Sequence, residues 1–494
     1  MLIMTIFQRG IGFVRGIWFC RLLDDTVVGQ WSMAFGFITM ITPLMMLGLP
    51  GAMPRYVERY RLAGQLPQFI KNILMGTLLG SVLMIFAMLI MPHWFGWLIF
   101  RETSSVWLMG SVVGAIATVL IFNFVNELVS SLRQVRTVSL MQFVQGIGFT
   151  VLGMTVLYTG GGLQGLVIAF GLSMVIATVP GLHVLWRDWS GLPHSDAAFD
   201  CRGMWRKLLP YAAALWAMNL LSNAFEMSDR YMILHLMPGD ENAATAAVGQ
   251  YHSGRLIPAL LTSLATMFAG VLLPYLAADW EQGNVAAVQE RLRRSLLAMS
   301  VSFTACAAMA LTISPWLFEV LLQGRYQDGL VIQPMAFTFC IWAAIVTLAQ
   351  NYLWVRERGM WVGIALALGL VINGLGNAVW IPRLGLEGAV WATLVANGIV
   401  LLGVGWALRR SDYQLDESVL WVALLPLTLI AGGSIAIVSA LACVVLHRDT
   451  HDWVCQATEP LICCIQTACS PSGGTYFSGV AKALRWAKPP ASDL

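Results

Sequence analysis

The chain has 494 residues, 58% of them hydrophobic and 11% charged, with a net charge of +3 and a mean hydropathy of +0.72. A soluble globular domain carries roughly 25% charged residues, so this composition excludes a water-soluble core and makes the hydrocarbon layer the solvent. The small net charge, with no basic run interleaved with aromatics, gives no support to a nucleic-acid partner.

Apolar windows predict membrane-spanning helices near 1–22, 27–50, 72–100, 104–131, 137–158 and 163–186, then 208–236, 244–275, 295–321, 329–354, 359–381 and 387–408, with a thirteenth near 420–446. The first is barely long enough to cross the bilayer and carries Arg9 and Arg15, which also argue against a cleavable signal peptide. Charge, proline and glycine mark the connectors, notably Pro54 to Lys71, Arg133 to Arg136 and the long polar stretch Arg187 to Lys207. The expected fold is all-α, a polytopic membrane protein of about twelve or thirteen helices.

Basic residues fall on alternate connectors. Arg55, Arg59, Arg61, Lys71, Arg133, Arg136, Arg187, Arg202, Arg206, Lys207, Arg291, Arg293, Arg294, Arg356, Arg358, Arg409 and Arg410 gather on one side, against Arg21, Arg101, Arg325, Arg383 and Arg448 on the other. The positive-inside rule therefore places 187–207 and 409–418 in the cytoplasm, and 236–247 and 447–494 outside. The outward loops are short, leaving no extracytoplasmic domain for catalysis.

An internal repeat organises the chain. Val28-Gly29-Gln30-Trp31 returns as Val248-Gly249-Gln250-Tyr251, and Pro54 as Pro274, both displaced by 220 residues. After a three-residue insertion, Arg133 matches Arg356, and Gly162-Leu163-Gln164-Gly165 matches Gly385-Leu386-Glu387-Gly388, displaced by 223. Six spans is an even number, so both copies share one orientation and the pseudo-two-fold axis runs along the membrane normal. The expected architecture is two pseudo-symmetric six-helix lobes, 1–190 and 205–410, enclosing a cavity, with an extra transmembrane helix and an atypical tail over 411–494. The same offset implies that the first copy lacks about twelve N-terminal residues.

No P-loop is present, and the run Gly160 to Gly165 reads as a hairpin turn rather than a dinucleotide loop, because no strand precedes it. Asp24-Asp25 reads as solvated punctuation in a short loop. Nine cysteines, five of them beyond residue 440, lack any spacing suited to zinc. No catalytic constellation, metal site or cofactor is expected, and hence no enzyme.

What remains is polar residues inside spans: Arg9, Arg15, Asn123, Asn126, Glu127, Asn219, Asn223, Glu226, Asp229, Arg230 and Arg255. A charge at mid-bilayer costs roughly 2.5–3.5 kcal/mol even on the lenient insertion scale, so these should face protein or a watery cavity. Glu226 and Arg230 share a helix face four residues apart, where an intrahelical ion pair competes with a transport role. Arg9 and Asp229 occupy equivalent repeat positions with opposite charge, and their pairing across the cavity is an expectation. Arg15 and Arg255, with Arg9 when it is free, would create a positive field for an anionic ligand such as a diphosphate, which arginine's planar fork grips with two bonds at once. Asp229, Arg230 and Glu226 complete the candidate substrate-binding set.

Arg21-Leu22-Leu23 with Val28-Gly29-Gln30-Trp31, Leu47-Gly48-Leu49-Pro50 leading to Arg55-Tyr56, and Ser228-Asp229-Arg230-Tyr231 with Val248-Gly249-Gln250-Tyr251 together carry a resemblance. Over roughly residues 10–410 the chain resembles the polysaccharide-biosynthesis (O-antigen) flippases of the multidrug/oligosaccharidyl-lipid/polysaccharide exporter superfamily. The resemblance implies twelve to fourteen helices in all, arranged in two lobes, in the bacterial inner membrane. It also implies that an undecaprenyl-diphosphate-linked oligosaccharide moves to the outer leaflet, with membrane lipid and polysaccharide-assembly machinery as partners. The rival function is a cation-coupled multidrug antiporter, which should show a coupling carboxylate in the first lobe, where Arg9 and Arg15 stand instead. A glycan polymerase or ligase would need a large outward loop.

Overall fold

The computed structural model describes residues 2–101, 105–189 and 199–446, and its regular structure there is entirely helical. The helices are α1 (Leu2–Leu22), α2 (Asp25–Met45), α3 (Leu49–Leu62), α4 (Leu66–Ile90), α5 (Pro92–Phe100), α6 (Val106–Ser131), α7 (Val135–Tyr158) and α8 (Gly162–Trp189). There follow α9 (Cys201–Leu236), α10 (Glu241–Glu281), α11 (Val285–Val320), α12 (Gln327–Val331), α13 (Gln333–Val355), α14 (Met360–Leu384) and α15 (Leu386–Arg410). The chain then runs through α16 (Glu417–Leu424), α17 (Thr428–Ala431) and α18 (Gly433–Leu446). In hydrocarbon, backbone groups have no water to bond, and a helix satisfies them within its own segment.

Ten helices among the described residues are long and apolar enough to cross a membrane, fewer than the twelve or thirteen expected. The shortfall has physical causes. α1 carries Arg9, Arg15 and Arg21, and α9 carries Glu226, Asp229, Arg230 and His235. The span expected at 420–446 is broken at Pro426 and at Gly432, whose φ of +126° is a backbone state that favours glycine. Carbonyls freed near that break are satisfied from neighbouring helices. Ser300 Oγ donates to the Val422 carbonyl at 2.9 Å, Trp342 Nε1 to that of Ala423 at 2.8 Å, and Thr338 Oγ1 to that of Pro426 at 3.0 Å.

A second break divides the expected span 27–50 into α2 and α3. Leu47 and Gly48 both take positive φ, +51° and +67°, and a Cβ on Gly48 would lie 2.3 Å from the Ala212 carbonyl oxygen of α9. Its repeat partner α10 runs unbroken through the equivalent positions for 41 residues. The glycine run at 160–165 forms the α7–α8 turn, with Gly160 and Gly162 at positive φ, as expected of a hairpin.

Within the first half α8 packs on α6 and α7, and in the second half α15 packs on α13 and α14. α2 and α10 pack on each other, joining the halves; α9 reaches across to α2 and α3, and α1 to α10. The connectors rich in Arg and Lys lie at one end of this bundle, called below the basic end.

Candidate functional site

Two interior clusters lie at equivalent positions of the two halves. In the second, Asp229 of α9 is 1% exposed and accepts four hydrogen bonds. Asn373 Nδ2 and Asn377 Nδ2 of α14 each donate to its Oδ1 at 2.9 Å, while Tyr251 OH of α10 and Thr393 Oγ1 of α15 donate to its Oδ2. Ser228 Oγ and Asn377 Nδ2 in turn donate to Asn373 Oδ1. One buried carboxylate thus ties together four helices, and charge-assisted bonds of this kind are the strong class.

Beside this network the cations are poorly compensated. Arg230 is 8% exposed; its Nη1 reaches only Met227 Sδ, at 3.9 Å, and its Nε has no partner. Arg255 donates through Nη1 to Tyr251 OH at 3.4 Å and stacks on the Tyr251 and Phe339 rings, each at 5.4 Å, with Nε again unpartnered. Neither forms an ion pair among the described residues, so burial of both guanidinium groups is offset by weak acceptors, by the rings around Arg255 and by the more distant Glu226 and Asp229 carboxylates. At the seam between the halves, Ser32 Oγ and His252 Nδ1 lie 3.3 Å apart, a pair separated by 220 residues.

In the first half the same scaffold is lined with rings. Phe19, Trp31, Phe149 and Phe170 are buried, and Phe35 closes the cluster. Their centroid spacings run from 5.1 Å for Phe149–Phe170 to 6.3 Å for Phe19–Trp31, mostly edge to face as ring quadrupoles prefer. Arg15 lies over the Phe149 ring at 4.5 Å and reaches the Gly146 carbonyl and Thr150 Oγ1, both at 3.4 Å.

The structure does not bring Arg9 to Asp229: Arg9 is exposed on α1, and the Asp229 oxygens are taken by their four donors. Nor does Glu226, also exposed, form an ion pair with Arg230. Arg9, Asn219 and Glu226 are polar, exposed and within helices of a membrane bundle, an arrangement that calls for a hydrated cavity rather than lipid. Asn223 donates to the carbonyl of Asn219 at 2.8 Å, while Asn123, Asn126 and Glu127 lie on α6, with Asn126 Oδ1 buried and without a partner. Sequence reasoning missed Asn373, Asn377, Thr393, Tyr251 and His252 as site residues. The spacing of Asn373 and Asn377, one turn apart on an apolar helix, was the available signal.

A helical bundle of this hydropathy, with a polar, cation-bearing interior at the seam of its two halves, defines a polytopic membrane protein. The family model for "Polysaccharide biosynthesis protein" matches residues 1–279. The match covers more than half of the chain, and the chain belongs to this family. Among curated proteins, the uncharacterized membrane protein YabM of Bacillus subtilis (strain 168) is 23% identical over 265 residues, and the match spans 49% of each chain. Among solved structures, lipid II flippase MurJ in an inward closed conformation superposes with a TM-score of 0.69 at 13% identity, covering 90% of this chain and 98% of that one. An inward-facing multidrug-resistance MATE family transporter superposes with a TM-score of 0.60 at 14% identity, covering 82% and 94%. At these identities the likeness establishes the fold alone.

Proposed function

We propose that the protein flips a lipid-linked oligosaccharide, carried on undecaprenyl diphosphate, across the bacterial inner membrane for surface polysaccharide assembly. The supporting observation is the pair of interior guanidinium groups, Arg230 and Arg255, with no carboxylate in direct contact among the described residues and the Nε of each unpartnered. A diphosphate supplies the missing counter-charge, and its several anionic oxygens suit forked donors. In this proposal residues 1–190 and 205–410 are two six-helix lobes that rock about the cavity, Arg15 and Arg255 hold the diphosphate, and the helix after residue 411 adds to the second lobe. The basic end faces the cytoplasm, where the lipid-linked precursor is made, and the assembly machinery receives the product outside.

The test replaces Arg15 and Arg255 separately by Gln and by Lys, confirms membrane abundance, and measures surface glycan and intracellular lipid-linked precursor. Loss of display with Gln and partial retention with Lys is expected; wild-type display in both Gln variants overturns the proposal. The second reading, a cation-coupled multidrug antiporter, is favoured by the buried Asp229 carboxylate. Drug resistance conferred on a sensitive host, without change in surface glycan, would decide for it.

A further inference from the structure

At the end of the bundle opposite the basic connectors, each half grips the first helix of the other. Arg101, between α5 and α6, donates through Nη1 to the Leu234 carbonyl at 2.9 Å and the Met237 carbonyl at 3.4 Å, capping the C-terminus of α9. His235 lies 3.1 Å from the Leu98 carbonyl, against the Trp97 ring. Reciprocally, Tyr326 OH, from the loop between α11 and α12, donates to the Leu23 carbonyl at the end of α1 at 3.0 Å, and Arg325 pairs with Asp24 at 3.1 Å.

Between these two grips α2 and α10 cross at Gly29 and Gly249. A Cβ on Gly29 would lie 2.0 Å from the Thr245 carbonyl oxygen, and one on Gly249 would lie 2.0 Å from that of Asp25. Asp25 and Thr245 are themselves repeat equivalents, so the two contacts are one contact seen twice across a local two-fold. Gln250, 8% exposed, knits the crossing to the loop: its Nε2 donates to Asp25 Oδ2 and to the Arg325 carbonyl, both at 3.1 Å, and its Oε1 accepts from the Gly329 amide at 3.3 Å.

We propose that this crossing is a gate, closed in this structure, with Gly29 and Gly249 as its backbone seal and Gln250 as the bolt that couples it to the Asp24–Arg325 and Tyr326–Leu23 contacts. The halves are unequal. The Arg101 grip is on helix-end carbonyls, which travel with α9 as a unit, whereas the Gln250 side consists of side-chain bonds that separate when α2 and α10 part. An exposed ion pair such as Asp24–Arg325 contributes little by itself, so the glycine crossing and the buried glutamine hold the gate. The proposal requires only a transporter that opens at this end, and holds whatever the cargo.

The experiment uses the full chain with an Asn219→Cys reporter on the exposed face of α9, labelled by a membrane-impermeant maleimide from either face of oriented vesicles and compared with the parent's native cysteines. Gly29→Ala, Gly249→Ala and Gln250→Glu, the last placing a carboxylate against Asp25, are each expected to raise labelling severalfold from the face opposite the basic connectors only. The two glycine variants should act alike. Unchanged labelling in all three, or an equal rise from both faces, overturns the gate. If the glycine variants do not accumulate, an Asp24→Cys/Arg325→Cys disulfide decides the matter: oxidation should suppress labelling from that face and reduction restore it, and labelling indifferent to oxidation counts against the proposal.

Discussion

The two halves of the chain place opposite chemistries on equivalent backbone positions. Trp31, Phe35, Thr150 and Phe170 of the first correspond to Tyr251, Arg255, Asn373 and Thr393 of the second, and Arg9 to Asp229. One interior is a packed set of rings; the other is a carboxylate held by four donors beside two arginines. What the repeat retains is backbone geometry: the glycines at 29 and 249, where helices touch at carbonyl distance, and the α7–α8 and α14–α15 turns at Gly162 and Gly385. Side chains that only fill volume are free to diverge, and here they divide the labour between a stiff apolar wall and a charged, hydrogen-bonding one.

The comparison breaks first if the carboxylate is dispensable. Asp229→Leu strips the acceptor from four buried donors, each worth about 1–3 kcal/mol when left unmade, so folded protein in detergent should fall sharply and transport should be lost. Arg9→Leu, at the equivalent but exposed position, should leave the melting temperature nearly unchanged. Thermal denaturation followed by size-exclusion fluorescence measures both, and equal stability of the two variants would remove the distinction between the halves.

The apolar wall has its own test. Phe149 is 1% exposed and touches Phe19, Trp31, Phe170 and Arg15; Phe149→Leu should cost about 1–2 kcal/mol through lost ring contacts and a small void. A smaller effect is expected for Asn377→Leu. It removes one of the four donors to Asp229, and interhelical hydrogen bonds in membranes contribute about 0.6 kcal/mol on average, at most about 1.7. Repeating it with Asn373→Leu, which also removes the Oδ1 that accepts from Ser228 Oγ and Asn377 Nδ2, should give the larger loss of the two.

Much of the helical layout could be read from hydropathy, because twenty apolar residues in a row have few other fates. The breaks could not. Leu47-Gly48-Leu49-Pro50 is apolar throughout, so a hydropathy window passes over it, although glycine and proline two residues apart are a signal of their own. Asp229, Arg230 and Arg255 stood out by charge, whereas Asn373, Asn377 and Thr393 are neutral and register only once folding brings them to Asp229 from 144 to 164 residues away. Asp24 and Asp25 were assigned to solvent for the same reason: their partners, Arg325 and Gln250, lie 301 and 225 residues along the chain.

The smallest expected effect sharpens the comparison at the basic end. In the second half the connectors there are cross-braced: Arg291 pairs with Asp279 at 2.9 Å, and Arg356 with Asp412 at 2.9 Å. The first half offers, among the described residues, the looser Glu58–Arg61 contact at 3.8 Å within α3 and the pair of adjacent residues Arg187–Asp188 at 2.8 Å on α8, neither of which joins two helices. The Asp412 side chain is 79% exposed, while Arg356 is 16% exposed and also lies over the Trp280 ring at 5.2 Å. Asp412→Asn therefore removes the ion pair and little else, since Gln289 bonds the Asp412 backbone carbonyl and stays in place. The cost should be below about 1 kcal/mol and should vanish as salt screens the pair in the parent protein. The Asp229→Leu deficit should be insensitive to salt, because its donors are buried. Thermal denaturation of both variants at low and high ionic strength separates the two kinds of charge, and a salt-independent deficit in Asp412→Asn would show that the brace acts through packing rather than electrostatics.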